Sequence, residues 1–430
     1  MATNIANLQV EIGADIRDLQ RGLDTADRDI GSFAGRAERT LSNVGDAIRD
    51  ALITFGVAAV GSAASRAAIE WESAFAGVRK TVNATDAQLA ELERGLRRLG
   101  TSIDSPVAGL ENASIQLAQI AEAAGQLGVA ADDLLAFTET VGMLGMSTNL
   151  AGEEAAVMLA QFANITDLDL GEMRNGISNI ERLGAVIVEL GNNLATTERD
   201  IVEFGQRLAG AGAAAGFSEA EILAIGGALA SVGMNAEAGG TAFSRVFNEM
   251  TRAAALGGVE LQHFARVAGM SAQEFADTWS SNPARALEAF ITGLGELDAA
   301  AQLQALEDLG LTEVRVSDAL RRMAGNSELL SEALRLANNE WEESDALVNE
   351  ANQRFNTTRA QMNLLRNNLT NVAVTLGQML LPGINMLVGA LVPLLQTIAD
   401  ANPLLIKLGA ALALIAIGPG PILGTLSPIG

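Results

Sequence analysis

Leu334, Trp341, Val348, Phe355, Met362, Leu369 and Leu376 stand seven residues apart along an otherwise polar stretch. Three residues after each comes a second series, Ala337, Ser344, Ala351, Thr358, Leu365, Val372 and Met379. The first series is large and apolar, and the second is small or polar until its end. Neither glycine nor proline interrupts residues 326–376, so the pattern predicts one helix about 75 Å long at a rise of ~1.5 Å per residue. A regular seven-residue recurrence predicts a supercoil with partner helices, which makes the first series an oligomerisation seam. The polar second series leaves another reading open, an amphipathic helix packed on its own domain.

Before this seam, from Trp71 to about Ala324, the hydrophobic pattern breaks into short helices with clear start signals. "TDAQ" at 85–88, "SEAE" at 218–221 and "SAQE" at 271–274 fit the capping box, in which a hydroxyl accepts from a free helical N–H and the fourth residue reaches back. "SP" at 105–106 and "NP" at 282–283 place a cap before a proline at the first helical position. Gly100, Gly191 and Gly325 read as helix ends. Within this region residues 128–152 and 216–240 resemble one another at an offset of 88, with Gly128, Leu135, Ala136, Gly145, Met146 and Gly152 matching Gly216, Leu223, Ala224, Gly233, Met234 and Gly240. Each copy reads as a tight turn and a helix whose small residues permit close packing, an internal helix-turn-helix repeat.

At the two ends the pattern changes again. "IANLQVEIGAD" near the start alternates like a short strand, and a heptad-like run follows at Leu19, Leu23, Ala26, Ile30 and Phe33. "ALITFGVAAVGSAAS" at 51–65 carries no charge; at this length it reads as a buried helix more readily than a bilayer span. No charged residue occurs between Arg366 and Asp400, or after Lys407. These two runs, with Leu380, Leu381, Leu387, Leu391, Leu394, Leu395, Leu412 and Leu414 as their large side chains, are long enough for a membrane. Pro382, Pro393 and Pro419 are expected to break them. Burial in an oligomer and membrane insertion both remain open. The expected organisation is an N-terminal helical segment at 1–70, a helical core domain at 71–325, the heptad-bearing helix at 326–381 and a hydrophobic, Gly/Pro-interrupted segment at 382–430.

Composition sharpens the class. The chain has 430 residues, 49% of them hydrophobic, yet only 4% aromatic and none of them Tyr. Such a composition favours helices packed through small side chains over β-sandwiches, and the class is all-α. A net charge of −24 argues against nucleic acid as a bound partner. It serves solubility, or repels DNA that shares a channel with the chain. The N-terminus lacks the apolar core of a secretory signal, so synthesis in the cytosol is expected.

Catalytic chemistry finds no support. There is no Cys, and His263 is the one histidine. That excludes paired-histidine zinc sites and Cys–His dyads. No Gly-x-Ser-x-Gly elbow or phosphate-binding Gly-x-x-x-x-Gly-Lys loop occurs. "GAGAAAG" at 210–216 follows no predicted strand and lacks dinucleotide-loop spacing. The carboxylates of "EWEESD" at 340–345 read as a solvated helix face. No catalytic, cofactor or metal site is expected.

The order of segments carries a resemblance. "AGQLGVAADDLL" and "AAAGFSEAEIL", each a turn followed by a helix, resemble the core region of phage tail tape measure proteins of the lactococcal siphophage type. "RNNLTNVAVTLGQMLLPGINMLVGALVPLL", "NPLLIKLGAALALIAIGPG" and the opening "LQVEIGADIRDLQRGLDTADRDI" resemble segments in the same order in that family. The resemblance implies a structural protein that sets tail length as a helical ruler inside the tail tube and organises tail-tip assembly. It also implies self-association as a trimer or hexamer, and contact with tail tube, distal tip and assembly chaperone proteins. At ejection the host inner membrane would be a further partner. The implied location is the virion tail, after assembly in the host cytoplasm. Family members generally exceed 430 residues, so an N-terminal portion or a short member is expected. The rival is a membrane-active, pore-forming helical protein, which accounts for the apolar runs but not for the segment order.

Overall fold

A computed structural model of the chain describes residues 57–150 and 152–401. The chain divides into two compact units, Met1–Arg66 and Ala67–Gly430. Of the first, the structure describes only the beginning of α1 (Val57–Thr81). The alternating stretch and heptad-like run expected near the N-terminus lie outside the described residues. Among those described are seventeen α-helices, one 3-10 turn and a two-stranded hairpin, in agreement with the all-α class.

Local signals place the elements of the second unit. α1 buries Trp71, Phe75 and Val78 along one face, with Val82 just beyond its end, a spacing of three and four residues that keeps them aligned. The Trp71 indole N–H donates to Glu93 at 3.0 Å on α2 (Asp86–Leu99), which begins at the predicted Thr85–Gln88 capping box. "SP" behaves differently from expectation. Pro106 starts only a 3-10 turn, Pro106–Gly109, and Ser105 makes no cap. Its hydroxyl instead donates to Glu139 at 2.9 Å. α3 (Ala113–Gln126), α4 (Leu134–Ser147) and α5 (Gly152–Thr166) follow. A hairpin then pairs β1 (Met173–Arg174) with β2 (Ile177–Ser178) through Asn175 and Gly176, both at positive φ, the turn that Asn-Gly prefers. α6 (Asn179–Asn193) runs past Gly191 rather than stopping there.

α7 (Glu198–Ala215) leads into the second copy of the repeat, which α8 (Glu219–Ser231) and the start of α9 (Ala236–Leu256) form. The turns entering both copies close identically. Gly128 and Gly216 have φ of 86° and 89°, which glycine adopts without a Cβ penalty. The N–H groups of Val129 and Phe217 donate to the carbonyls of Ala124 and Gly212, at 3.2 and 3.0 Å, pairs that the offset of 88 superimposes. The copies then diverge for a visible reason. Ser218 and Glu221 form a capping box that starts α8 at once. Their counterparts are Ala130 and Asp133, and without a hydroxyl at 130 the chain makes a further turn before α4 begins at Leu134. In both copies the helix before the turn packs against the two that follow it, α3 against α4 and α5, and α7 against α8 and α9. α7 and α8 approach through glycine, since a Cβ on Gly226 would lie 2.8 Å from the Phe204 Cβ.

α10 (Gly258–Val267), α11 (Ala272–Ser281), α12 (Pro283–Glu296), α13 (Ala299–Asp308) and α14 (Val314–Ala324) complete the core. Ser271 and Asn282 cap their helices, although Glu274 does not reach back to complete the box expected at 271–274. The scarce aromatics concentrate here, in a chain of ring contacts from Phe247 through Phe217, Trp279, Phe275 and Phe264 to Phe290 at centroid separations of 4.6–6.5 Å.

The single helix expected over 326–376 is absent. The segment forms α15 (Ser327–Glu343), α16 (Ala346–Phe355) and α17 (Thr358–Ala401), separated at Ser344–Asp345 and Asn356–Thr357. α15 packs on α6 and α8, and α16 on α4 and α6. Tertiary contacts make the first break. Continuing the helix would require the Asp345 N–H to donate to the Trp341 carbonyl. That carbonyl instead accepts from the guanidinium of buried Arg182, and the Glu340 carboxylate takes the N–H groups of Asp345 and Ala346 at 2.8 and 2.9 Å. "EWEESD" is therefore not a solvated face throughout, because Glu340 and Ser344 are buried. A second correction concerns Pro382 and Pro393, which lie inside α17 and do not end it. A proline removes one ladder bond and crowds the preceding turn, which a long helix can absorb.

Candidate functional site

Reactive side chains do not converge. His263 lies on α10 with Nδ1 3.1 Å from the Asp308 carbonyl at the end of α13, a contact between helices. Among the described residues no group of three or more His, Cys, Asp or Glu could hold a metal ion. Burial pushes Glu139 upward in pKa against the Ser105 hydroxyl bond. Glu340 is raised by burial against its two backbone N–H donors, and Glu189 by burial, with Asp345 and Glu343 adding to the effect. Each of these carboxylates has a structural neighbour, Ser105 for Glu139, the Asp345 and Ala346 N–H groups for Glu340 and Asn193 for Glu189.

The exceptional surface belongs to α17. Its inward face is mixed, with Asn367 buried between Ala360 and Val374. Asn363 donates to the Gly109 carbonyl at 2.9 Å, and Asn367 to those of Ala108 and Leu110 at 2.9 and 2.7 Å. The Asn367 carbonyl oxygen in turn accepts from the Ala113 N–H at 3.4 Å, serving the start of α3, where Asn112 has φ of 51° and makes no side-chain cap. Asn371 accepts from Arg97 Nε at 2.7 Å, and Thr375 from Arg97 Nη2 at 2.6 Å. Partial burial here lowers the Arg97 pKa, opposed by Glu93. α17 thus docks on the 3-10 turn and α2 through amides and the Arg97 guanidinium, with Ala360 and Val374 buried beside them.

Its outward face is apolar. Met362, Leu365, Leu369, Val372 and Leu376 are 45–64% exposed. At ~100° per residue they point within about 40° of the direction opposite Asn367. Their spacing of three, four, three and four residues is that of a coiled-coil seam. The larger apolar side chains of this part of α17 thus face outward, and the smaller Ala360 and Val374 face inward.

The expected seam is therefore divided. Leu334 is buried in the core, Trp341 is half-buried, and Phe355 is buried with Ala108 and Ala360. Val348, Met362, Leu369 and Leu376 are exposed. Leu365 and Val372, from the companion series, join the last three in one stripe. The docking amides escaped the sequence reading, although Asn363, Asn367 and Asn371 recur every fourth residue. Of the apolar-tail residues, Leu381 is half-buried. Leu380, Leu387, Leu391, Leu394 and Leu395 lie along α17, beyond the part whose side chains are described. Leu412 and Leu414 lie outside the described residues. Among the described residues no helix is long and apolar enough to cross a membrane, so of the two readings left open for 367–399 the spanning one finds no support there.

Residues 108–310 match the family model of phage-related minor tail proteins. The matched region runs from the 3-10 turn to the end of α13 and contains both copies of the repeat. No curated protein and no solved structure matches the chain. The family match supports a structural protein of a phage tail, located in the virion tail in association with other tail components.

Proposed function

From a match to phage-related minor tail proteins, we propose that this chain acts as a tape measure, a helical ruler that self-associates inside the tail tube and sets its length. The match over residues 108–310 carries the tail assignment. The outward stripe of α17 carries the self-association. A trimer or hexamer would bury Met362, Leu365, Leu369, Val372 and Leu376 between copies, as supercoiled helices do. Charge favours this place for contact. The chain carries −24 overall, but no Asp or Glu occurs between Glu350 and Asp400, so identical copies meet there without the acid repulsion of the remaining surface. The acidic body also keeps DNA in a shared tube from adhering. The tail tube, the distal tip whose assembly the chain organises, and assembly chaperones are the further partners in this reading, and the role is structural rather than catalytic.

Two measurements test it. Leu365→Glu and Leu369→Glu in the full chain should each weaken self-association at least about tenfold in sedimentation, because burying one Leu contributes ~1.5–3 kcal/mol and ~1.4 kcal/mol is tenfold. Folding should be unaffected at these exposed positions. Repeating residues 362–375 twice more adds four heptads. A ruler predicts tails longer by ~42 Å in electron micrographs, from ~1.5 Å per residue. Intact particles of unchanged length would overturn the measuring role for this helix.

A further inference from the structure

The seven-residue series runs through both breaks without losing register. Trp341 lies before the first, Val348 and Phe355 between them, and Met362, Leu369 and Leu376 after the second. No glycine or proline stops a helix there, since residues 326–376 contain neither. At the first break Ser344 takes a φ of 57°, a left-handed conformation that disfavours a residue with a Cβ. Arg182 and Glu340 occupy the backbone groups that a continuing helix would pair with one another. At the second break the Thr357 hydroxyl accepts from the Ala360 N–H at 3.3 Å, and the Gln361 amide donates to the Phe355 carbonyl at 2.9 Å.

We propose that α16 and α17 form a folded-back arm which swings out, on self-association of the chain, to continue α15 as one helix. α15 stays in place, because Leu330, Leu334, Leu336 and Ala337 hold it in the core. The arm is held more lightly. Only Leu347, Ala351 and Phe355 bury α16, and α17 buries only Ala360 and Val374 among its described apolar side chains, its other ties being side-chain hydrogen bonds that water can replace. In the extended state Trp341, Val348, Phe355, Met362, Leu369 and Leu376 line one side of a helix over ~53 Å. Partner copies then cover Phe355 in place of Ala108 and Ala360. Folded back, the chain hides part of its seam until a partner is present. The trigger rests on the self-association proposed above, whereas the alternative helix is encoded in the arm itself.

Absence of cysteine lets spin labels be placed only where they are wanted, at Asn338→Cys and Arg359→Cys on either side of the arm's breaks. One helix places these backbone positions ~32 Å apart, and the folded-back form brings them closer. Electron–electron distance measurements on the full chain should show the shorter distance when it is dilute and the longer one when it is associated, with sedimentation of the same sample reporting mass. Ser344→Gly and Ser344→Ala should shift the long-to-short ratio in opposite directions. The two should differ by about tenfold or more, because glycine favours the left-handed break and alanine the helix. Asn367→Ala should also raise the long population. Association with the short distance retained would overturn the coupling of extension to assembly. One unchanged distribution across the Ser344 variants and Asn367→Ala would overturn the extension itself. A chain that never associates would remove the trigger, while the variant series would still decide whether the arm extends.

Discussion

Arg182 has no exposed surface, and its guanidinium donates to the carbonyls of Trp341 and Arg174, the latter at 2.6 Å. It ties the β1–β2 hairpin to the end of α15, and its Nε has no partner among the described residues. Removing the side chain would strip both carbonyls of their charged donor, leaving that of Trp341 only the Ser344 hydroxyl at 3.2 Å, and open a void behind them. Arg182→Ala should therefore cost ~3 kcal/mol or more in urea unfolding. Asn367 serves two carbonyls and one N–H, and Asn367→Ala should cost ~1–3 kcal/mol by the same measurement. Gly226→Ala would drive a Cβ to 2.8 Å from that of Phe204, with the Gly205 backbone nitrogen at 3.3 Å. Separation of α7 from α8 is expected to cost ~1–3 kcal/mol.

Helix starts show what a single cap does at the scale of an element. Ser218 caps α8 and Glu221 reaches back to it; the corresponding Ala130 cannot, and α4 starts later. Ser218→Ala should destabilise the chain by ~1 kcal/mol, and amide exchange should accelerate in the first turn of α8 while α4 is unaffected. α17 illustrates the opposite relation between pattern and burial. Its apolar stripe is as regular as that of any core-facing helix, yet amides with the smaller Ala360 and Val374 occupy the inner position. Amide-to-carbonyl bonds give a specific contact of modest net strength, which leaves the stripe available to a partner.

Over the whole molecule, acidity governs the response to pH. Glu139, Glu189, Glu219 and Glu340 are all raised above the ordinary 4.5, burial being the largest cause at each. A carboxylate raised on folding binds its proton more tightly in the native state, so it contributes stability as pH falls through its folded value, until the unfolded chain protonates near the ordinary one. Lower pH also relieves repulsion within a chain of net charge −24. Thermal unfolding should therefore shift to higher temperature from pH 7 toward pH 5. Glu139→Gln, which keeps an acceptor for Ser105, should raise Tm at pH 7 and flatten that rise. A Tm that falls on mild acidification would contradict the burial of these groups.

Much of this protein was legible in the residues themselves. The all-α class follows from composition and periodicity, and the caps at Thr85, Ser218, Ser271 and Asn282 follow from hydroxyl and amide side chains that act on the adjacent backbone. The entry turns of the repeat need only a glycine at positive φ, a local property. Asn-Gly at 175–176 also signals its hairpin locally, though a helical background obscures it. The first break in the heptad helix was not legible, because Arg182 reaches Trp341 from 159 residues away and no local pattern encodes that contact, whereas at the second the Thr357 hydroxyl acts on the adjacent Ala360 N–H. Nor could periodicity decide which face of α17 turns inward. An apolar stripe is equally consistent with a core and with a partner, and the choice was made by the carbonyls of Ala108, Gly109 and Leu110, which the fold presents to Asn363 and Asn367. Short-range hydrogen bonding and apolar spacing act within a few residues and can be read along the chain, whereas competition for a backbone group between distant side chains is settled only when the tertiary fold brings them together.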